Sequence, residues 1–116
     1  MSPTIVLKDG KPFLVVGTPG GTRILTSVMQ VIQNAIDFKM NAQDAVNFPR
    51  FHHQWRPDKL QMEPQFSPDT IKLLERRGHV VEIVGNICEM AVIQFEENGW
   101  LAGASDPRVD GKAAGY

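Results

Sequence analysis

The order of apolar and polar positions divides the 116-residue chain into short β-rich runs and a few stretches of helical period. Thr4 to Leu7 and Pro12 to Val16 are rich in β-branched and large apolar residues, with Lys8-Asp9-Gly10-Lys11 between them. An Asp-Gly pair in that setting predicts a tight hairpin, because its central positions need positive φ. From Thr22 to about Phe38, Ile24, Leu25, Val28, Met29, Ile32, Ala35 and Ile36 recur at steps of three and four. That period predicts a helix with one broad buried face. Asn41 to Val46 reads as a shorter helix capped by Asn41, with Asp44 in its early turns, and Phe48-Pro49 ends it.

Arg50 to Trp55 and Leu60 to Glu63 read as extended segments around a turn at Pro57-Asp58. Ser67-Pro68-Asp69 carries a helix start, Ser67 as N-cap and Pro68 at the first helical position, and Gly78 after Arg76 and Arg77 is its stop. His79 to Val84, Met90 to Phe95 and Trp100 to Ala104 read as strands, the last two joined around Glu97-Asn98-Gly99. The order β-β-α-α-β-β-α-β-β-β predicts an α/β (α+β) chain with an antiparallel or mixed sheet and helices against it. The pattern does not assign strand partners. With no repeat, low-complexity tract or long linker, residues 1–116 are expected to form a single domain.

Composition narrows the functional classes. A formal net charge of -1 gives no electrostatic case for nucleic acid or an anionic surface. Cys88 is the single cysteine, so the chain has neither an internal disulfide nor a thiolate zinc cluster. No apolar run approaches the ~20 residues of a membrane span. The opening MSPTIVLKDG lacks the basic and apolar regions of a signal peptide.

The most distinctive stretch is Val16-Gly17-Thr18-Pro19-Gly20-Gly21-Thr22-Arg23-Ile24. Gly20 and Gly21 fall between a predicted strand and the N-terminus of the main helix, where N–H groups lack intrahelical partners and the helix dipole is positive. Glycine leaves such a place open to a ligand, and Pro19 stiffens the approach. The loop therefore either cradles a phosphate, a carboxylate or the oxyanion of a carbonyl under attack, or serves only as a tight strand-to-helix turn. The phosphate version is disfavoured, since Thr22-Arg23 stand where a P-loop carries Lys followed by Ser or Thr, and G-x-G-x-x-G is absent.

The remaining candidates read as structural. His52 and His53 are adjacent and point to opposite faces of a strand, so they do not readily share a metal even with Glu63 or Asp58 nearby. Neither a metal nor a cofactor is expected. Cys88 beside Ile87 and Met90 reads as a buried, inert thiol, and Arg76-Arg77 as a complement to a helix C-terminus. Phe51 and Trp55 are expected in the core or against a partner surface. Asp106-Pro107-Arg108 offers an acid and a base that can pair to fix a loop, or touch a ligand.

Four motifs in order also carry a resemblance: Met1-Ser2-Pro3-Thr4-Ile5, Gly17-Thr18-Pro19-Gly20-Gly21-Thr22-Arg23-Ile24, Pro49-Arg50-Phe51-His52-His53-Gln54-Trp55, and Ala104-Ser105-Asp106-Pro107-Arg108 with the closing Ala114-Gly115-Tyr116. Together they resemble, end to end, the C-terminal part of the small subunit of γ-glutamyltransferase, also called γ-glutamyl transpeptidase. The resemblance implies an N-terminal nucleophile hydrolase fold, a four-layer αββα sandwich of which this chain supplies part. It implies a self-processing precursor whose new N-terminal threonine attacks the γ-glutamyl amide of glutathione and related compounds, its own α-amine acting as base. The acyl group then passes to water, an amino acid or a peptide.

Residue by residue, the family role carries over to Gly20 and Gly21, whose N–H groups match the oxyanion hole. Thr18 and Thr22 stand where serines are common, and Gly85 to Glu89 departs most from the family pattern. The nucleophile, the acid that holds the substrate's α-amine and the serines that bind its α-carboxylate precede Met1 in the family, and Thr4 is not the nucleophile. The chain alone is therefore expected to be inactive, to need the rest of the small subunit and the large subunit as partners, and to self-associate through exposed sheet edges. A free-standing, non-catalytic domain that binds a small carboxylate or a protein partner is the other reading. By resemblance the parent protein is periplasmic or extracellular.

Overall fold

The computed structural model describes residues 3–115. Met1-Ser2 and Tyr116, the outer ends of two motifs above, lie outside the described residues. Among the described residues, seven strands and three α-helices follow the predicted order: β1 Thr4–Lys8, β2 Lys11–Gly17, α1 Ile24–Ile36, α2 Ala42–Asn47, β3 Phe51–His52, β4 Leu60–Met62, α3 Pro68–Arg76, β5 Val81–Ile83, β6 Ala91–Phe95 and β7 Leu101–Ser105. A single 3-10 turn, Gly21–Arg23, leads into α1, so the main helix tightens where it begins.

The strands form two sheets. One is antiparallel throughout, in the order β1-β2-β6-β7; the other is mixed, β3-β4-β5, with β4 antiparallel to β3 and parallel to β5. The β1–β2 turn has Asp9 at φ 53 and Gly10 at φ 76, the two positive values that the Asp-Gly pair predicted. At the β6–β7 connection only Gly99 turns left-handed (φ 85), and the N–H of Glu96 donates to the Trp100 carbonyl. The loop is thus three residues, Glu97 to Gly99, with glycine in the left-handed position.

Register decides which face is core. Val16 opposes Val92, and Val92 opposes Ala104. With Leu14 they form the buried face of the larger sheet, against which Val28, Val31 and Ala35 of α1 and Ala42, Ala45 and Val46 of α2 pack. The alternate residues Ile5, Leu7, Ile93 and Leu101 point the other way and are exposed. Ile93 and Leu101 line a broad open depression of about 1120 Å³ whose walls also include Val15, Trp100, Gly103 and Ala113. An antiparallel sheet tolerates one wet face, but an apolar one is a surface built to be covered.

The predicted caps form. Asn41 Oδ1 accepts from the Asp44 N–H at 2.9 Å, and Ser67 Oγ accepts from the Asp69 N–H at 3.3 Å with Pro68 opening α3. Gly78, at φ 94, closes α3, and Arg76 occupies its last turn. The mixed-sheet strands are shorter than the pattern suggests, and after β3 the chain leaves the extended region at Trp55, which adopts φ 69. Trp55 is 73% exposed and Phe51 also lies on the surface, so the core alternative for these two aromatics does not hold.

Candidate active-site loop and the charge cluster behind it

β2 ends at Gly17 and α1 begins at Ile24, and the glycine loop bridges them. Gly20 has φ 144 and ψ 15, a conformation open to glycine alone, and Gly21 has φ 60. Pro19, Gly20, Gly21 and Thr22 are exposed, whereas Thr18 is buried. No side chain caps the Gly20 end, and a Cβ placed on Gly21 meets nothing within 4 Å. Gly20 and Gly21 stand at the end of the helix where the first N–H groups lack an intrahelical acceptor, and both residues are exposed. Such a loop stabilises negative charge, whether a bound carboxylate or a developing oxyanion.

Gly20 is closed on its other side. A Cβ built there lies 2.3 Å from Cys88 Sγ, so the thiol occupies the space a side chain would need. Cys88 is a buried free thiol with φ 62, packed beneath the loop. The neighbouring segment is tied to the same loop by Thr18, whose hydroxyl accepts from the Glu89 N–H at 2.9 Å and donates to the Pro19 carbonyl at 2.7 Å.

Segment 87–90 is held from behind by three buried charged side chains, Arg50, Glu63 and Asp106, with the half-buried Arg108 bracing the two acids. Arg50 donates to the carbonyls of Ile87 (2.8 Å), Cys88 (3.3 Å) and Val46 (2.8 Å) and to Asp106 Oδ2 at 2.7 Å. Asp106 Oδ2 also accepts from the Met90 N–H at 2.7 Å. Glu63 accepts from the N–H groups of Ile87 (2.7 Å) and Arg50 (2.8 Å) and pairs with Arg108. Arg108 in turn reaches Asp106 Oδ1 at 3.1 Å and the carbonyls of Val46 and Phe48. Arg50 and Asp106 are 2% and 1% exposed, so this is an interior ion pair.

Burial alone raises the Glu63 carboxyl, but hydrogen bonds from Arg108 and the Ile87 and Arg50 amides outweigh it and leave it below the usual range. For Asp106 burial is again the largest influence, overcome by the Met90 and Arg108 amides and the Arg50 side chain, so it too stays depressed. Burial lowers Arg50 despite Asp106, while the two carboxylates overcome burial at Arg108 and raise it.

Of the residues singled out in the sequence, Gly20, Gly21 and Cys88 meet at one place. Asp106 and Arg108 pair as the structural reading expected. The sequence did not reveal Arg50, and it offered Glu63 only as a partner for histidine. Arg50 stands inside the motif Pro49-Arg50-Phe51-His52, but nothing in one sequence signals that an arginine there is buried. The histidines separate as adjacent strand residues do. His52 is buried, with Nδ1 2.8 Å from Thr26 Oγ1 and Nε2 3.0 Å from Gln54 Oε1; His53 Nε2 lies 3.0 Å from Asp58 Oδ1 at the surface. Glu63 is committed to the arginines, and among the described residues no group of three potential metal ligands assembles.

Comparison with known proteins agrees in sequence and in shape. The family model for gamma-glutamyltranspeptidase matches residues 1–116. The chain is 54% identical to the glutathione hydrolase proenzyme of Escherichia coli (strain K12) over 117 residues, covering 100% of this chain and 20% of that protein. It thus spans about a fifth of the length of the curated relatives it matches. Among solved structures, the γ-glutamyltranspeptidase of Pseudomonas nitroreducens complexed with L-DON superposes with a TM-score of 0.91 at 37% identity, covering 100% of this chain and 62% of that one. A mutant of the γ-glutamyltranspeptidase of Helicobacter pylori gives 0.89 at 45% identity, covering 94% and 61%.

Proposed function

The chain belongs to the γ-glutamyltranspeptidase family, and from that premise we propose that it is the C-terminal part of the small subunit of such an enzyme, contributing the oxyanion-hole loop. The observation that carries this reading is the pair Gly20 and Gly21: exposed, uncapped by any side chain, and set where a strand turns into the N-terminus of α1. In the reaction, a threonine hydroxyl from the preceding part of the subunit attacks the γ-carbonyl of glutathione or another γ-glutamyl compound. Its carbonyl oxygen becomes an oxyanion, and the N–H groups of Gly20 and Gly21 stabilise it before the amine leaves. The resulting acyl-enzyme passes the γ-glutamyl group to water, an amino acid or a peptide, and the same amides serve the second tetrahedral intermediate.

The nucleophile and the groups that bind the α-amine and α-carboxylate come from the rest of the enzyme, so residues 1–116 alone do not catalyse. The exposed apolar face of the larger sheet, with Ile5, Leu7, Ile93 and Leu101, supports burial against the rest of the small subunit and the large subunit. A periplasmic or extracellular setting accompanies this assignment.

The test is an intact mass and N-terminal sequence of the protein from its native source, with a γ-glutamyl release assay on the same sample. A longer subunit beginning with threonine, and active, is expected; a chain starting at Met1 that releases nothing overturns the assignment. In the active enzyme, Gly21→Val forces a β-branched residue onto positive φ and is expected to lower kcat by about 100-fold or more. An unchanged kcat removes Gly21 from the oxyanion hole.

A further inference from the structure

We propose, building on the oxyanion-hole reading, that Thr18 is a positioning residue whose buried hydroxyl fixes the direction of the Gly20 N–H. The Pro19 carbonyl and the Gly20 N–H belong to one planar peptide unit, so anchoring the oxygen sets where the hydrogen points. Thr18 Oγ1 supplies that anchor, donating to the Pro19 carbonyl at 2.7 Å. A hydroxyl has a single proton. Because Thr18 Oγ1 also accepts from the Glu89 N–H at 2.9 Å, its proton is left for Pro19.

The anchor is needed at this place. Gly20 is the residue on the far side of that peptide, and glycine puts up little steric resistance to a rotation that would aim the carbonyl, not the N–H, at the reacting oxygen. The Glu89 amide is itself fixed, because its neighbours are clamped: the Ile87 N–H by Glu63, the Met90 N–H by Asp106, and the Ile87 and Cys88 carbonyls by Arg50. Cys88 Sγ fills the space beside Gly20, so the loop is pressed as well as bonded onto this segment. A chain of contacts therefore runs from the buried ion cluster through residues 87–90 and Thr18 to the amide that meets the oxyanion. Thr18 touches no substrate in this scheme; it acts through the peptide that follows it.

The experiment uses the full-length, self-processed enzyme with Thr18→Val, Thr18→Cys and Thr18→Ser, reading kcat and KM for γ-glutamyl release separately. The oxyanion contact strengthens only as the tetrahedral intermediate forms, so loss of the anchor lowers kcat by about tenfold or more in Thr18→Val and leaves KM within about twofold. Thr18→Ser, which keeps the hydroxyl, restores most of kcat, and Thr18→Cys falls between. A Thr18→Val enzyme with wild-type kcat overturns the proposal, as does a loss that Thr18→Ser does not rescue. If Thr18→Val fails to mature, Thr18→Cys decides, and a kcat equal to wild type again overturns it. Gly21→Val, measured in parallel, separates the two levels. When Gly21→Val loses kcat and Thr18→Val does not, only the role of Thr18 fails; when neither loses it, the oxyanion-hole reading itself fails.

Discussion

Replacing Arg50 with methionine, an unbranched uncharged side chain that ends short of the guanidinium, is expected to unfold this chain more readily than any substitution on its surface. The guanidinium holds four acceptors: Asp106 Oδ2 at 2.7 Å and the carbonyls of Val46, Ile87 and Cys88. Removing one partner of a buried ion pair costs about 3–5 kcal/mol, and the lower end applies here because Asp106 keeps Arg108 and the Met90 N–H as partners. Each of the three carbonyls loses a donor as well, at about 1 kcal/mol apiece. Part of this is returned. Arg50 is itself penalised by burial, its Nε has no partner, and methionine fills the part of the space its stem occupied with apolar surface.

The net loss is therefore about 4 kcal/mol, which for a chain of this size lowers Tm by about 15 °C. Thermal and urea unfolding of Arg50→Met, Asp106→Asn and the double variant measures it. Asp106→Asn removes the stranded charge, so the double variant should be less damaged than the two singles summed, by about 2 kcal/mol or more. A single-variant loss under about 1 kcal/mol, or simple additivity in the cycle, refutes the claim that this pair is buried and coupled.

Acid should expose the same cluster. Asp106 and Glu63 are both depressed in the folded protein, so each contributes stability above its unfolded pKa, about 4, that is lost as pH falls through the lower folded value. The urea midpoint is expected to fall steeply below about pH 4, and a midpoint that is flat there contradicts the ion cluster. Gly20→Ala forces a Cβ to 2.3 Å from Cys88 Sγ at φ 144 and is expected to cost about 1–3 kcal/mol or more. Adding Cys88→Ala should recover part of that loss in the same unfolding experiment, and no recovery would show that the thiol is not the obstacle. The exposed apolar sheet face should drive the isolated chain to self-associate, and sedimentation of Ile93→Lys with Leu101→Lys should return it toward monomer.

The elements of this protein were legible because they rest on local chemistry. Hydrophobic period set α1, Asn41 and Ser67 set the helix starts, and Asp9-Gly10 set the first turn, since each depends on residues within a few positions of one another. The glycine loop was legible for the same reason: Gly20 and Gly21 at a strand-to-helix junction imply open amides whatever the rest of the chain does. Strand partners were not legible, because β2 pairs with β6 some seventy-five residues later through backbone groups common to every residue. The charge cluster was hidden likewise, since Arg50, Glu63, Asp106 and Arg108 come from separate segments and only folding removes them from water. Cys88, in the segment expected to depart most from the family pattern, proved to be what Gly20 rests on. Sequence alone determined which backbone is bare enough to meet a developing charge. Tertiary structure decided what holds that backbone still, because the contacts that do so, Thr18 to Glu89 and Cys88 against Gly20, join residues about seventy positions apart.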